Sequence, residues 1–370
     1  MNISTEGLLN SSSAACSETV SAMFTMSLSV ISAAALIGNI LVATTFIKTP
    51  SLRTSTNYFI VNMAVSDVLG PFFNWPLYAS EGMLTTNIYI NQPSASYICK
   101  IAMYLRIVSH TVSVLSLVLI AFDRFIAIVF PLKITVVKVK IRVIFMSLSW
   151  IIPILLAIPY ILFSGIIQVG KHTFCRFMMD EGALTIFNGV GFFLVYLVPL
   201  ILIITLYSVI MRTLKKRPRP GDLIKSHQSE KRRKQHQKIL KILVAIVLAF
   251  FVCWTPLSVY LFLKKFYPTL FVKDTCLLLV GLTFYICPSL STAINPVILF
   301  VFSTNYNQAL KTLCSPIWSH FKCGSKTQGR EGITATQELN LDMTDTKCLD
   351  WIRFSHRYLG TARKKKIWGF

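Results

Sequence analysis

Residues 242–263 read ILVAIVLAFFVCWTPLSVYLFL, an unbroken run of 22 positions without a charged side chain between Lys241 and Lys264. As a helix rising about 1.5 Å per residue the run is about 33 Å long, enough to cross a hydrocarbon core of about 30 Å. Working outward, residues 19–47 give 29 uncharged positions, 143–170 give 28 and 182–211 give 30. Residues 275–310 form a fifth such stretch, long enough for a span and a short helix along the surface. Two further apolar segments are interrupted sparsely, 57–79 by Asp67 and 101–130 by Arg106, Asp123 and Arg124. Seven segments in a chain that is 54% hydrophobic and 14% charged, against roughly 25% charged in soluble domains, predict an all-α membrane protein built as a seven-transmembrane helix bundle.

Basic residues in short loops stay on the cytoplasmic side. With the N-terminus outside and the C-terminus inside, 30 of the 37 Lys and Arg fall on the cytoplasmic face. The net charge of +22 is thereby read as a basic membrane rim, not a nucleic-acid footprint. The segments divide the chain into an extracellular tail (1–22), the bundle (23–303), a short amphipathic eighth helix (304–314) and a cytoplasmic tail (315–370). The first apolar segment lacks a basic leader and a cleavage site, so it reads as a retained signal-anchor. Asn2 and Asn10 each open a glycosylation sequon in the tail.

A carboxylate at mid-membrane depth faces the bundle interior with partners. For Asp67 the candidates are Asn39 on the first segment, Ser113 on the third, and Ser291 and Asn295 on the seventh. Such a set reads either as a structural hydrogen-bond network or as a cation or proton site. Asp123-Arg124-Phe125 closes the third segment; alone, an adjacent ion pair reads as an interfacial anchor. Cys99 lies 25 residues before Arg124, about 37 Å along a helix, so it reaches the oxidising face, where Cys175 is a candidate disulfide partner. Pro159, Pro199, Pro256 and Pro296 each free a carbonyl and allow a kink.

Taken in order, Gly38-Asn39, Asp67, Cys99, Asp123-Arg124-Phe125, Trp150, Cys175, Pro199, Cys253-Trp254-Thr255-Pro256 and Asn295-Pro296 make a set that resembles the rhodopsin-like (class A) G protein-coupled receptors. The resemblance implies a plasma-membrane receptor, not an enzyme, that activates a heterotrimeric G protein when the sixth helix moves outward. It implies that Asp123 holds Arg124 at rest, and that Trp254 and Phe250 relay ligand contact to the Pro256 hinge. It further implies that Asp67, Asn39, Ser113, Ser291 and Asn295 form a pocket for an allosteric sodium ion, the only cofactor expected. Arrestin is the expected partner of a tail phosphorylated at Ser325, Thr327, Thr334, Thr336, Thr344 and Thr346. Cys314 is the expected palmitoylation site, and Arg363-Lys364-Lys365-Lys366 beside Trp368 is expected to meet anionic membrane lipid. The chain departs from the family where the seventh-helix motif ends in Leu299 instead of Tyr, which leaves Tyr207 on the fifth segment without its usual partner. Phe125 in place of Tyr is a milder change.

The ligand is approached by exclusion. Amine receptors of this family carry Asp 18 positions before the motif Arg, where this chain has Arg106; opsins need a seventh-helix Lys, absent from 275–310. Arg106 reads either as an ion-pair partner of Glu81 or as a bidentate holder of a ligand carboxylate. His110 either binds ligand or satisfies a neighbouring carbonyl. With Trp75, Trp254, Leu257, Ser258, Leu261, Phe284 and Tyr285 these predict a mostly apolar and aromatic ligand pocket. Residues 168–177 alternate as a β-hairpin does, which resembles the open-mouthed peptide receptors of the family, so a short neuropeptide is the leading ligand and a small acidic metabolite or lipid the alternative. Cys16 and Cys276 are a candidate second disulfide. A transporter predicts inverted repeats, and the halves do not correspond; no His, Cys or carboxylate cluster has metal-ligand spacing.

Overall fold

The computed structural model describes residues 18–82, 92–130, 139–169, 172–216, 223–267 and 286–313. Among these, seven long helices follow one another: α1 (Glu18–Lys48), α2 (Ser55–Gly82), α3 (Gln92–Val129), α4 (Val139–Leu156, continued by Ile158–Phe163), α5 (Glu181–Gly191 and Val198–Lys216, joined by a wide turn at Phe192–Leu197), α6 (Leu223–Phe266) and α7 (Cys287–Phe302). A shorter helix, α8 (Thr304–Leu313), follows α7. Between α4 and α5 lies an antiparallel hairpin, β1 (Ser164–Val169) and β2 (His172–Phe177), with Val169 opposite His172 and Ile166 opposite Cys175.

Five helices, α1, α3, α4, α5 and α6, are long and apolar enough to cross a membrane. α7 is 16 residues in the described part of the chain, shorter than the roughly 20 a full crossing needs. α2 is less apolar for a reason visible in its contacts. Asn62, Ser66, Asp67 and Asn74 are buried, because α2 packs against both α1 and α3 and turns its polar side chains inward. The bundle is arranged around α3, which packs on α2, α4, α5 and β1, while α7 joins α1 to α6.

Helix shape follows proline placement. Pro199 has no N–H to return to the preceding turn, and Val198 N–H bonds back to Phe193 O, five residues earlier, which widens the turn just before it. α4 breaks at Ala157, two residues before Pro159. Asp180 caps α5, its carboxylate accepting from the Gly182 and Ala183 N–H groups at 3.1 and 3.4 Å. α6 starts at Leu223, so Lys231-Arg232-Arg233-Lys234 are helical, as expected of a stretch with no Pro or Gly before Pro256. At the far end Asn307 Nδ2 donates to Phe300 O at 3.0 Å and Tyr306 packs edge-on against Phe300, turning the chain out of α7.

Candidate functional site

Asp67 is 1% exposed in the middle of α2. Its carboxylate accepts from the Ser113 hydroxyl on α3 and, at 3.1 Å, from Asn295 Nδ2 on α7, so one anion ties three helices. Ser109 donates to Ser66 O at 2.7 Å in the turn above, again joining α3 to α2. Of the four partners expected to gather around Asp67, Ser113 and Asn295 bond it directly. Ser291 instead accepts the Trp254 indole N–H at 3.1 Å and donates to Pro288 O at 2.6 Å. Asn39 donates to Ala35 O at 2.8 Å and Thr292 O at 3.1 Å, clamping α1 to α7. That clamp lies beside Gly38, where an added Cβ would come within 2.8 Å of the Pro296 ring, so glycine is required for this close approach.

A cavity rises from Asp67 through the bundle. Ser113, Asn295 and Ser291 line its lower part, His110, Trp254 and Phe250 its side, and Arg106 its upper part. His110 lies flat on the Trp254 indole, ring centroids 3.6 Å apart, and parallel to Phe250 at 5.5 Å. Its Nδ1 is buried without a hydrogen bond among the described residues. Asn295 Oδ1 is likewise buried and unpaired. Both polar atoms belong to residues that line the cavity.

Other expected pocket residues are placed differently. Trp75 is turned to α1, its indole donating to Ser29 Oγ at 3.0 Å, and it does not line the cavity. Leu257, Ser258 and Leu261 lie further along α6, outside that lining; Ser258 donates to Trp254 O at 3.1 Å, in the turn that contains Pro256. The Glu81 backbone is in α2 and its side chain is outside the described set. Phe284, Tyr285, Cys16, Cys276, Asn2, Asn10 and Cys314 also lie outside the described residues.

At the opposite end of α3 from Cys99, Arg124 Nη2 and Nε donate to Asp123 Oδ2 at 2.7 and 3.2 Å. Asp123 also accepts from Ser55 at 2.5 Å and Thr56 at 2.6 Å on α2, two partners the sequence reading missed. Their signal was available, since hydroxyls in the first turn of α2 can reach the foot of α3 in a tight bundle. Phe125 lies 5.7 Å from Phe130. The Tyr207 hydroxyl is buried without a partner among the described residues, and Leu299 is buried too. Between α5 and α6, Tyr196 donates to Thr255 Oγ1 at 2.7 Å, since that hydroxyl already donates to Phe251 O.

Cys99 and Cys175 form a disulfide with Cα atoms 5.6 Å apart, fixing β2 to α3. Trp150 donates to Asn62 Oδ1 at 2.9 Å, and Asn62 Nδ2 donates to Ser116 and Ser149 at 2.9 and 3.1 Å. This small network joins α2, α3 and α4 with every Asn62 side-chain atom used.

Residues 38–299 match the model of the seven-transmembrane receptor (rhodopsin) family. The chain is 28% identical over 292 residues to the allatostatin-A receptor of Bombyx mori, covering 76% of this chain and 77% of that protein. It is 28% identical over 296 residues to the neuromedin-K receptor of Rattus norvegicus, covering 78% and 63% respectively, so it spans less than two thirds of that relative. To the RYamide receptor of Drosophila melanogaster it is 32% identical over 234 residues, 61% of this chain and 49% of that one.

Proposed function

The chain belongs to the rhodopsin family of seven-transmembrane receptors, and from that premise we propose that it binds a short extracellular neuropeptide and activates a heterotrimeric G protein by outward movement of α6. Membership makes it a multi-pass plasma-membrane receptor and not an enzyme. The observation that carries the finer reading is the continuous cavity from Arg106, past the His110–Trp254–Phe250 stack, to Asp67. A ligand group entering beside Arg106 meets His110 and, through its ring, the indole whose N–H is held by Ser291 on α7. Displacing that stack acts on α6 just below Pro256. The hairpin pinned by Cys99–Cys175 supports a peptide-sized ligand, as do relatives named for peptides.

In this reading the N-terminus is extracellular and the Asp123–Arg124 pair faces the G protein. At rest Arg124 is neutralised by Asp123, itself held by Ser55 and Thr56. Agonist favours the arrangement in which Arg124 is free, and acts only through its better fit to that state. A sodium ion bound at Asp67 would compete by favouring the closed arrangement; the donor set of carboxylate, Ser113 hydroxyl and the free Asn295 Oδ1 is all-oxygen, as a hard cation requires.

The test is nucleotide exchange on purified G protein heterotrimers, with the full-length receptor in nanodiscs and a library of short peptides. Peptide-dependent exchange is expected; exchange driven only by small acidic metabolites or lipids would transfer the cavity to that ligand class. Arg106→Ala is expected to weaken a ligand bearing an acidic group about tenfold more than its neutral analogue, the scale of a bidentate charge-assisted contact. Equal losses would assign Arg106 to a structural role.

A further inference from the structure

A second cavity opens at the end of the bundle that carries the disulfide, and it shares no lining residue with the first. Ser96 and Lys100 on α3, Leu162 and Phe163 at the end of α4, Ser164 at the start of β1, and Met178 after β2 surround it. Leu162, Phe163 and Met178 are 63%, 43% and 48% exposed, so they give an otherwise polar cavity one open apolar side. Lys100 lines the cavity, and among the described residues no carboxylate pairs with it. Ser164 is 2% exposed, and its Oγ is buried with no hydrogen-bond partner among the described residues.

The frame around these groups is fixed. Ser164 begins the strand in which Ile166 opposes Cys175; Cys175 is bonded to Cys99, and Lys100 is the next residue of α3. Met178 N–H donates to Phe163 O at 2.7 Å, closing the rim between the hairpin and α4. A cation and a buried hydroxyl without a partner among the described residues therefore line one cavity together with the apolar side formed by Leu162, Phe163 and Met178.

We propose that this cavity binds a single-chain anionic amphiphile from the surrounding membrane, its headgroup on Lys100 and Ser164 and its chain along Leu162, Phe163 and Met178. A free anion would satisfy the ammonium but leave the apolar wall in place. A neutral lipid would cover the wall but leave the charge and the hydroxyl unanswered. Only a molecule with both parts matches both halves of the site.

The test uses full-length receptor in nanodiscs of neutral phosphatidylcholine, with bound amphiphile counted by native mass spectrometry. Oleate is titrated against oleyl alcohol, which has the chain without the charge, and inorganic phosphate, which has the charge without the chain. Saturable oleate binding is expected, with both controls weaker by about tenfold or more. Lys100→Gln is expected to weaken oleate by about tenfold, Lys100→Arg to retain it, and Ser164→Ala to weaken it about threefold. Oleyl alcohol binding as well as oleate, or undiminished oleate binding by Lys100→Gln, would overturn the proposal. If Lys100→Gln fails to fold, Ser164→Ala decides, and unchanged binding there overturns it equally. None of these readings depends on which ligand or G protein the bundle recognises.

Discussion

Two aspartates sit in adjacent membrane-spanning helices, and the molecule treats them oppositely. Asp67 is 1% exposed, bonds to α3 and α7, and meets no cation among the described residues. Asp123 is 14% exposed, pairs with the adjacent Arg124, and takes two hydroxyls from α2. A buried carboxylate without a counterion is costly and is retained where its charge is used. An ion pair at the edge of the bundle that keeps some contact with water costs less to make and to release than a fully buried unpaired charge. On the proposed function, the first aspartate senses what enters the cavity and the second releases Arg124.

The largest expected effect breaks the releasing end. Arg124→Ala should lower agonist-stimulated nucleotide exchange about a hundredfold, in line with about 2–5 kcal/mol for removing one partner of a buried interfacial contact, while agonist binding changes by no more than about twofold. Parallel loss of binding and exchange would show that the pair holds the fold instead of contacting the G protein.

The next effect isolates the sensing end. Asp67→Asn keeps shape and removes charge, and the unpaired Asn295 Oδ1 can accept from the new amide if the Asn295 side chain turns over. The variant should therefore fold. In the unmodified receptor, replacing a bulky organic cation by sodium should weaken agonist binding about tenfold, a coupling within the usual 1–3 kcal/mol; in Asp67→Asn it should change nothing. A sodium effect of equal size in both would move the cation elsewhere.

A smaller effect separates the two kinds of partner on Asp123. Ser55→Ala with Thr56→Val removes both hydroxyl donors and leaves the ion pair. Bonds to charged groups are worth about 1.5–3 kcal/mol when buried, and partial exposure reduces the net to about 1 kcal/mol, or about a fivefold rise in agonist-independent exchange. Unchanged basal exchange at matched surface density would mean that Arg124 alone sets the resting state.

How far these residues were legible in the sequence depends on what defines them. The spans were readable because lipid requires long uncharged runs, and Asp67, Asp123, Cys99 and Cys175 stood out as exceptions within or beside them. Partner choice was less readable. That Ser291 serves Trp254 and Asn39 serves Thr292 O depends on helix rotation and on Gly38 admitting Pro296, neither of which a list of polar residues contains. Trp75, expected in the pocket, turns its indole to Ser29 because rotation about α2 decides which neighbour it meets.

The smallest expected effect concerns the place where the chain leaves its family. Leu299 occupies the position of a tyrosine whose hydroxyl ordinarily bridges to the fifth helix, and Tyr207 there is buried with its hydroxyl unpaired. If the missing bridge limits activation, Leu299→Tyr should raise agonist efficacy or basal exchange by about twofold, a shift of about 0.4 kcal/mol in a two-state balance. The gain is modest because Leu299 is only 3% exposed, and a larger ring in a packed site costs about 1–3 kcal/mol of its own. Tyr207→Phe supplies the control. Alone it removes a hydroxyl that bonds to nothing described and should leave signalling unchanged; combined with Leu299→Tyr it should cancel the gain. The interaction energy of that cycle, measured by nucleotide exchange at matched surface expression, reports the bridge itself and is insensitive to the packing penalty that both tyrosine-bearing variants share. A large loss from Tyr207→Phe alone would show instead that the orphaned phenol finds a partner other than position 299 in the active state.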